Sequence, residues 1–268
     1  MLNKGIKKGI VPMEFFHYVI SEKKFSKRKE NILQCFHHWR IEPNFYDAVM
    51  GRDLTKKQLE ELTADGGILK PGAIGCVLSH LGIYQELLNS KEPCVYVFED
   101  DAQLTEHFIK LQPVIQRFME KQSGPTVLSL YKFHGLKKKV ERLDSDVWIM
   151  QSLAGSASQA YVINREAAAN LLKAQNPVRI ELDAWAIYQK LGFLRLYCVS
   201  KDLVQLNDVL SKESTIEVTT DQAVSLNRRE IREKHFQYWY SNLSAMRKIS
   251  FHLRRLVRHI QELYYQKD

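Results

Sequence analysis

Three acidic residues, Glu99, Asp100 and Asp101, follow directly on an apolar run in the stretch PCVYVFEDDAQL. Val95, Tyr96, Val97 and Phe98 read as a buried strand, and a strand that delivers three carboxylates to its own end needs a cation or strong hydrogen-bond donors there. Glu99 and Asp101, two positions apart, start on one face if the strand continues. Hard divalent cations such as Mg²⁺ or Mn²⁺ prefer carboxylate oxygens and bridge one or two of them to a substrate diphosphate, whose departure they assist as Lewis acids. A D-x-D-like spacing behind a strand therefore points to a nucleotide or nucleotide-sugar site beyond the carboxyl edge of an α/β sheet. The same residues also suit a helix cap or a solvated turn.

The elements that must position these acids follow from periodicity. Residues 15–21 read as a first strand. Ser26 is an N-cap for a helix with the apolar stripe Ile32, Leu33, Phe36 and Trp39, and residues 43–49 read as a second strand, which makes a βαβ unit with a parallel pair. The turn chemistry of GILKPGAIG opens a helix over 74–89. Behind the acidic strand come a helix over 106–120, strands over 126–133 and 147–152 separated by the basic loop GLKKKVERLDSD, and a strand over 159–164. Helices over 165–175 and 181–192 and a strand over 194–200 follow. The alternation predicts an α/β protein with helices covering a mainly parallel sheet. No G-x-G-x-x-G follows the first strand and no G-x-x-x-x-G-K-[ST] occurs, so a Rossmann dinucleotide site or a P-loop has no support.

The 268 residues are 45% hydrophobic and 26% charged, enough for one substantial core. No run of about 18 apolar residues predicts a membrane span, and the basic start lacks the features of a secretory signal. Cys35, Cys76, Cys94 and Cys198 are scattered among apolar neighbours, which favours reduced thiols over a zinc site. Net charge is +8, and from Asn227 onward ten Lys/Arg face four acids, so the tail holds +6 of it.

The segments FYDAVMGRDL, GAIGCVLSHLGIYQELL, CVYVFEDDAQL, GSASQAYVINREAA and ELDAW occur in the order and spacing that resembles glycosyltransferase family 25, over residues 16–216. The G-x-x-x-x-SH helix followed by FEDD is the most specific part. The family includes bacterial lipooligosaccharide galactosyltransferases and collagen galactosyltransferases. The resemblance implies a GT-A-like single nucleotide-binding domain over 1–225, a metal-assisted UDP-sugar site and inversion at the anomeric carbon. It also implies UDP-galactose as donor, a lipooligosaccharide acceptor and Mn²⁺ (or Mg²⁺) as cofactor. UDP-glucose or a UDP-N-acetylhexosamine is the alternative donor, and a non-catalytic sugar-nucleotide-binding protein recruited to membrane is the alternative of another class.

By the same resemblance, Asp101 ligates the metal, Glu99 faces the ribose or a metal-bound water, and Asp100 belongs to the nucleotide-sugar site. Ser21 ends the strand that receives the base, Arg28 and Asp47 stand near the nucleotide, and Ser79 and His80 match the family's SH pair. Asp183 is the expected general base for the acceptor hydroxyl, with Glu181 in reserve. Gln205 matches the closing segment, where Asp208 occupies the neighbourhood of a family histidine and is a second candidate metal ligand. Each has a structural reading beside the functional one. His80 suits a core edge, Ser79 a bond back to its own helix, Arg28 a solvated helix face, Asp47 a turn, and Asp183 and Glu181 a helix start that favours negative charge.

The tail, residues 226–268, alternates basic and aromatic residues, and Ile249, Leu253, Leu256, Val257, Ile260, Leu263 and Tyr264 fall on one helical face. A basic amphipathic helix suits an anionic membrane surface or packing on the domain, while no nucleic-acid motif is present. A lipid-linked acceptor places the expected enzyme in the cytoplasm, peripheral on the inner face of the bacterial inner membrane.

Overall fold

The structure, a computed structural model, describes residues 14–24, 26–64, 69–135, 137–207, 210 and 222–262. In chain order the elements are β1 (His17–Ser21), α1 (Lys27–His38), β2 (Phe45–Asp47), α2 (Lys56–Leu62), α3 (Pro71–Asn89), β3 (Cys94–Glu99), β4 (Ala102–Leu104), α4 (Glu106–Glu120) and β5 (Thr126–Ser129). They continue with β6 (Lys137–Arg142), β7 (Trp148–Ser152), β8 (Ala160–Asn164), α5 (Arg165–Ala174), α6 (Trp185–Leu191), β9 (Arg195–Val199), β10 (Val204–Leu206), α7 (Gln222–Ser241) and α8 (Ala245–Glu262).

Among the described residues the central sheet has eight strands in the order β2-β1-β3-β8-β5-β9-β7-β6, and β10 pairs separately with β4. The expected mainly parallel character holds for strand direction: β2, β1, β3, β5, β9 and β6 run one way. By pairing the sheet is mixed, because β8 lies antiparallel between β3 and β5, and β7 antiparallel between β9 and β6. Side chains alternate across the sheet as strand geometry requires. Val95 and Val97 of β3 join the apolar layer formed with α3, α5, α6 and α7, whereas Tyr96 and Phe98 join the opposite layer with α1 and α4. Burial on both faces is why β3 and β8 read as unbroken apolar runs.

Local signals account for the helices nearest the strand ends. Ser26 caps α1, its side chain accepting from the Lys29 amide, and Ile32 and Phe36 are buried as their spacing predicts. Pro71 occupies the first turn of α3, where its missing donor is harmless. At Gly75 a Cβ would lie 2.2 Å from the Val49 carbonyl oxygen, so glycine lets α3 press against the chain leaving β2.

The structure differs from expectation in several places. The basic loop after β5 contains β6, an edge strand whose Lys138 and Lys139 are exposed. Lysines on an edge strand deter pairing with other chains and also erase the apolar alternation that marks a strand in sequence. The expected helix over 181–192 begins only at Trp185, so Glu181 and Asp183 lie in the turn ahead of it and not in its first turn. The second strand shortens to three residues, and α2 was not anticipated, its helical start resting on a Thr55–Gln58 capping box. Packing on the domain, one of the two readings open for the tail, holds for α7. Its Ile231 and Trp239 are buried in the same layer as α3, α5 and α6, and the Trp239 indole donates to the Ala174 carbonyl (3.2 Å).

Candidate active site

Strands β1 and β3 are parallel neighbours with Ile20 opposite Glu99, so Ser21 and Asp100 leave the same sheet edge side by side. The Ser21 hydroxyl donates to Asp100 Oδ2 (3.1 Å). Arg28, in the first turn of α1, reaches over both following acids: its Nε donates to Asp100 Oδ1 (2.6 Å) and its Nη2 to Asp101 Oδ2 (3.1 Å). Its Nη1 donates to the Leu210 carbonyl (2.7 Å). Clustered, largely buried carboxylates repel one another, and the forked guanidinium is the side chain suited to hold two of them. Arg28 is thus not on a solvated face; it positions the acids.

The two aspartates differ in what remains open. Both Asp100 oxygens are engaged. Among the described residues, Asp101 Oδ1 is buried without a hydrogen-bond partner. Burial pushes the Asp101 carboxyl above its ordinary range in spite of Arg28. A buried carboxylate oxygen without a donor carries a desolvation cost that a bound cation removes, so the residue fits a hard divalent ion. The chain behind Asp101 is pinned as well: β10 runs antiparallel to β4, and the Asn207 amide donates to the Asp101 carbonyl (2.9 Å). Among the described residues, the three-residue group whose metal-type ligand atoms converge is His107, Asp144 and Asp146, on α4 and the β6–β7 turn, and not the strand-end acids.

On the other side of Glu99 lies the segment Gly155–Ser158. The Ser158 hydroxyl donates to Glu99 Oε1 (2.9 Å) and the Glu99 amide donates to the Gln159 carbonyl (2.8 Å). Ala157 has φ +87°, a left-handed conformation that costs a residue with a Cβ about 1 kcal/mol or more. It is clamped there from both ends: its N–H donates to Asp183 Oδ2 (3.2 Å), and its carbonyl accepts from the Trp185 indole (3.0 Å). One strained residue therefore ties Asp183 to the segment that holds Glu99.

Beneath them, His80 is fully buried, with Nδ1 2.7 Å from the Tyr161 hydroxyl and Nε2 3.9 Å from Glu99 Oε1. Burial lowers its pKa to about 3, so the imidazole is neutral and forms no ion pair at ordinary pH. The Glu99 carboxyl is pushed up to about 7, first by burial and then by the charge of Asp101. Below an unfolded pKa of 4.5 the Glu99 contribution to stability is complete, and it is lost as pH rises through about 7. His80 works in the opposite sense, its contribution lost as pH falls below 6.5 toward about 3. In chelator, Glu99→Gln is therefore expected to gain stability relative to the native protein as pH rises from 4.5 to about 7. The gain is at most about 1.4 kcal/mol per pH unit. Urea titrations of both proteins across that range check it, and parallel slopes would mean that Glu99 titrates normally.

The remaining expected residues are placed as follows. Glu181 is bound by α7, its Oε1 2.8 Å from Arg228 Nε and its Oε2 3.1 Å from Arg232 Nε. Ser79 donates back to the Gly75 carbonyl (2.8 Å) and accepts from the Val49 amide (2.9 Å), which locks α3 to the chain after β2. Asp47 is exposed at the end of β2, 3.8 Å from Lys23 Nζ. Gln205 is exposed on β10 opposite Gln103. Asp208 lies outside the described residues.

Two residues at the site were not singled out from the sequence. Among the described residues the Tyr131 hydroxyl is buried without a partner, and its pKa is raised by burial and then by the charges of Asp101 and Glu99. The second is Cys76 of α3, its thiol pushed up by burial and then by the charges of Glu99 and Asp183. The available signal for Tyr131 was its place just beyond β5, which runs in the same direction as β3 and so ends at the same edge.

Among the described residues, the assembled edge presents a buried carboxylate oxygen without a partner, an arginine that fixes the acids, a second carboxylate of raised pKa, and Asp183 held across a clamped loop. A family model, Glycosyltransferase family 25 (LPS biosynthesis protein), matches residues 15–186. The chain is similar to "Lipooligosaccharide biosynthesis protein lic2B" of Haemophilus influenzae, 28% identical over 58% of this chain and 61% of that protein. It is similar to "Procollagen galactosyltransferase 1" of Danio rerio, 28% identical over 59% of this chain and 28% of the relative. It also matches the "Probable inactive glycosyltransferase 25 family member 3" of Rattus norvegicus, 32% identical over 38% of this chain and 19% of the relative. The match thus spans about a fifth of that relative's length.

Proposed function

The chain belongs to glycosyltransferase family 25, and from that premise we propose that it transfers galactose from UDP-galactose to a lipooligosaccharide acceptor, with inversion at the anomeric carbon. The observation that carries the reading is the pairing of Asp101, with its buried unpartnered Oδ1, and Asp183 on the far side of the Glu99–Ser158–Ala157 bridge. Two relatives, a lipooligosaccharide biosynthesis protein and a procollagen galactosyltransferase, support the choice of acceptor and sugar.

Asp101 would hold a Mn²⁺ or Mg²⁺ ion, with Arg28 fixing the carboxylate. Such an ion, when bound, neutralises the diphosphate leaving group. Ser21 and Asp100 hold the ends of β1 and β3 together under the nucleotide, and Ser158 orients Glu99. Asp183 accepts the proton of the acceptor hydroxyl as its oxygen bonds to the anomeric carbon; the bond from that carbon to the diphosphate oxygen breaks, and UDP leaves. Arg232 Nη2 lies 3.9 Å from Asp183 Oδ1.

A second reading, a non-catalytic sugar-nucleotide-binding protein, draws on the relatives whose names include the word inactive. UDP release from a panel of UDP-sugars separates the two, with a truncated lipooligosaccharide acceptor present and with Mn²⁺ or chelator. Release from UDP-galactose above the other donors, lost in chelator, is the expected result. Preference for UDP-glucose or a UDP-N-acetylhexosamine would overturn the donor. No turnover of any donor, with UDP still bound, would favour the non-catalytic reading.

A further inference from the structure

Helix α8 is mounted the wrong way round for a soluble protein. At 3.6 residues per turn, Met246, Ile249, Leu253, Leu256 and Val257 fall within an arc of about 100°. An amphipathic helix ordinarily buries such a stripe against its own domain. Here these five side chains are 48–75% exposed. The contacts to the protein come from the other side. Phe251, about 170° from the centre of the stripe by the same geometry, packs on Phe236 and Tyr240 with ring centroids 6.0 and 5.0 Å away. Lys248 Nζ donates to the Ser241 carbonyl (2.9 Å), and Arg254 Nη2 donates to the Leu191 carbonyl at the end of α6 (3.4 Å).

We infer that the exposed face of α8 docks on an anionic lipid bilayer, the helix lying in the headgroup plane with its apolar stripe among the acyl chains. Charge selects this occupant. Helix α8 contains five Lys/Arg and one acid, and Arg247 and Arg255 are exposed about 130° and 150° from the centre of the stripe, on the polar side of the helix. A second copy would bring the same positive charge against it, whereas acidic headgroups complement it. A groove of about 1460 Å³ beside α8, lined in part by Lys190, Arg195, Arg254 and Arg255, adds cationic side chains. Among the described residues no helix is long and apolar enough to cross a membrane, so the contact is a surface one. Arg228 and Arg232 of α7 hold Glu181 two positions from Asp183, which ties the docking unit to the acceptor side of the site.

The inference does not depend on sugar transfer, because vesicle binding needs neither donor nor acceptor. The test is co-sedimentation of the full chain with phosphatidylglycerol/phosphatidylcholine vesicles and with phosphatidylcholine vesicles alone. Native protein is expected to bind the anionic vesicles roughly tenfold or more tightly than the neutral ones. Leu253→Glu with Leu256→Glu is expected to lower that binding at least about tenfold. Arg247→Gln with Arg255→Gln, which leaves the stripe intact, is expected to do so by roughly tenfold, with a weaker salt dependence. Absence of binding to anionic vesicles, equal binding to both kinds, or variants that bind like the native protein would each overturn the proposal. So would a native dimer in sedimentation velocity that the Leu253→Glu, Leu256→Glu protein dissolves, since the face would then belong to a second copy.

Discussion

Asp101→Asn is expected to remove the response of turnover to divalent cation and to lower kcat/KM for the donor by about 10³-fold, equivalent to about 4 kcal/mol of transition-state stabilisation. Asp100 uses both oxygens on Arg28 and Ser21, whereas Asp101 uses one on Arg28 and keeps the other buried and unpartnered. An amide at position 101 can still accept from Arg28, so the acids and β4 stay in place while the charge that a cation requires is gone. Asp100→Asn is the contrasting variant. It weakens a charge-assisted bond to Arg28 Nε and is expected to cost about 2 kcal/mol of stability while the cation response survives. Titrating Mn²⁺ against UDP release and against UDP binding reads both. If Asp101→Asn responds to cation as the native protein does, the strand-end acids are a structural cluster around Arg28 and the proposed mechanism falls.

Asp183→Asn is expected to lower kcat about 10³-fold, within the range for loss of a general base, with little change in donor KM. Asparagine retains a carbonyl oxygen for the Ala157 N–H, so the left-handed residue and the bridge to Glu99 remain, and the loss reports proton acceptance alone. Glu181→Gln discriminates the reserve assignment. Its carboxylate is held by Arg228 and Arg232, so its replacement is expected to loosen α7 by about 1 kcal/mol and to leave kcat within about threefold of native. Rates with saturating donor and varied acceptor, and urea midpoints, separate these effects. A collapse of kcat in Glu181→Gln with near-native Asp183→Asn would transfer the base to Glu181.

Much of the site's composition was legible along the chain because the strand ends announce themselves. The apolar run before Glu99 is continuous since β3 is covered on both faces, and its abrupt change to acids marks the edge where a ligand site forms. Ser26 as a cap and Ile32 and Phe36 as a stripe placed α1 correctly, and with it Arg28. Three features were not legible. The lysines of β6 hide an edge strand, since exposure on an edge leaves no apolar alternation to read. Helix α6 begins later than its composition implies, because the turn at Glu181–Ala184 is held by tertiary bonds to Ala157, Arg228 and Arg232. The apolar stripe of α8 was evident, but its orientation was not, since periodicity defines a face without stating what covers it.

The sequence by itself determined that this is an α/β protein with an acidic strand end, small residues before β8, acids ahead of α6 and a basic amphipathic end, because each of these is a local pattern of residue types. It also carried the family resemblance. Only the tertiary structure decided which of these meet. Insertion of β8 antiparallel between β3 and β5 brings the Gly155–Ser158 segment to Glu99. The parallel pairing of β1 with β3 lays Arg28 across Asp100 and Asp101, leaving Asp101 Oδ1 open. Docking of α7 takes Glu181 and leaves Asp183 beside the clamped loop. Strand order and pairing arise from long-range packing and register, which no short stretch of chain encodes alone.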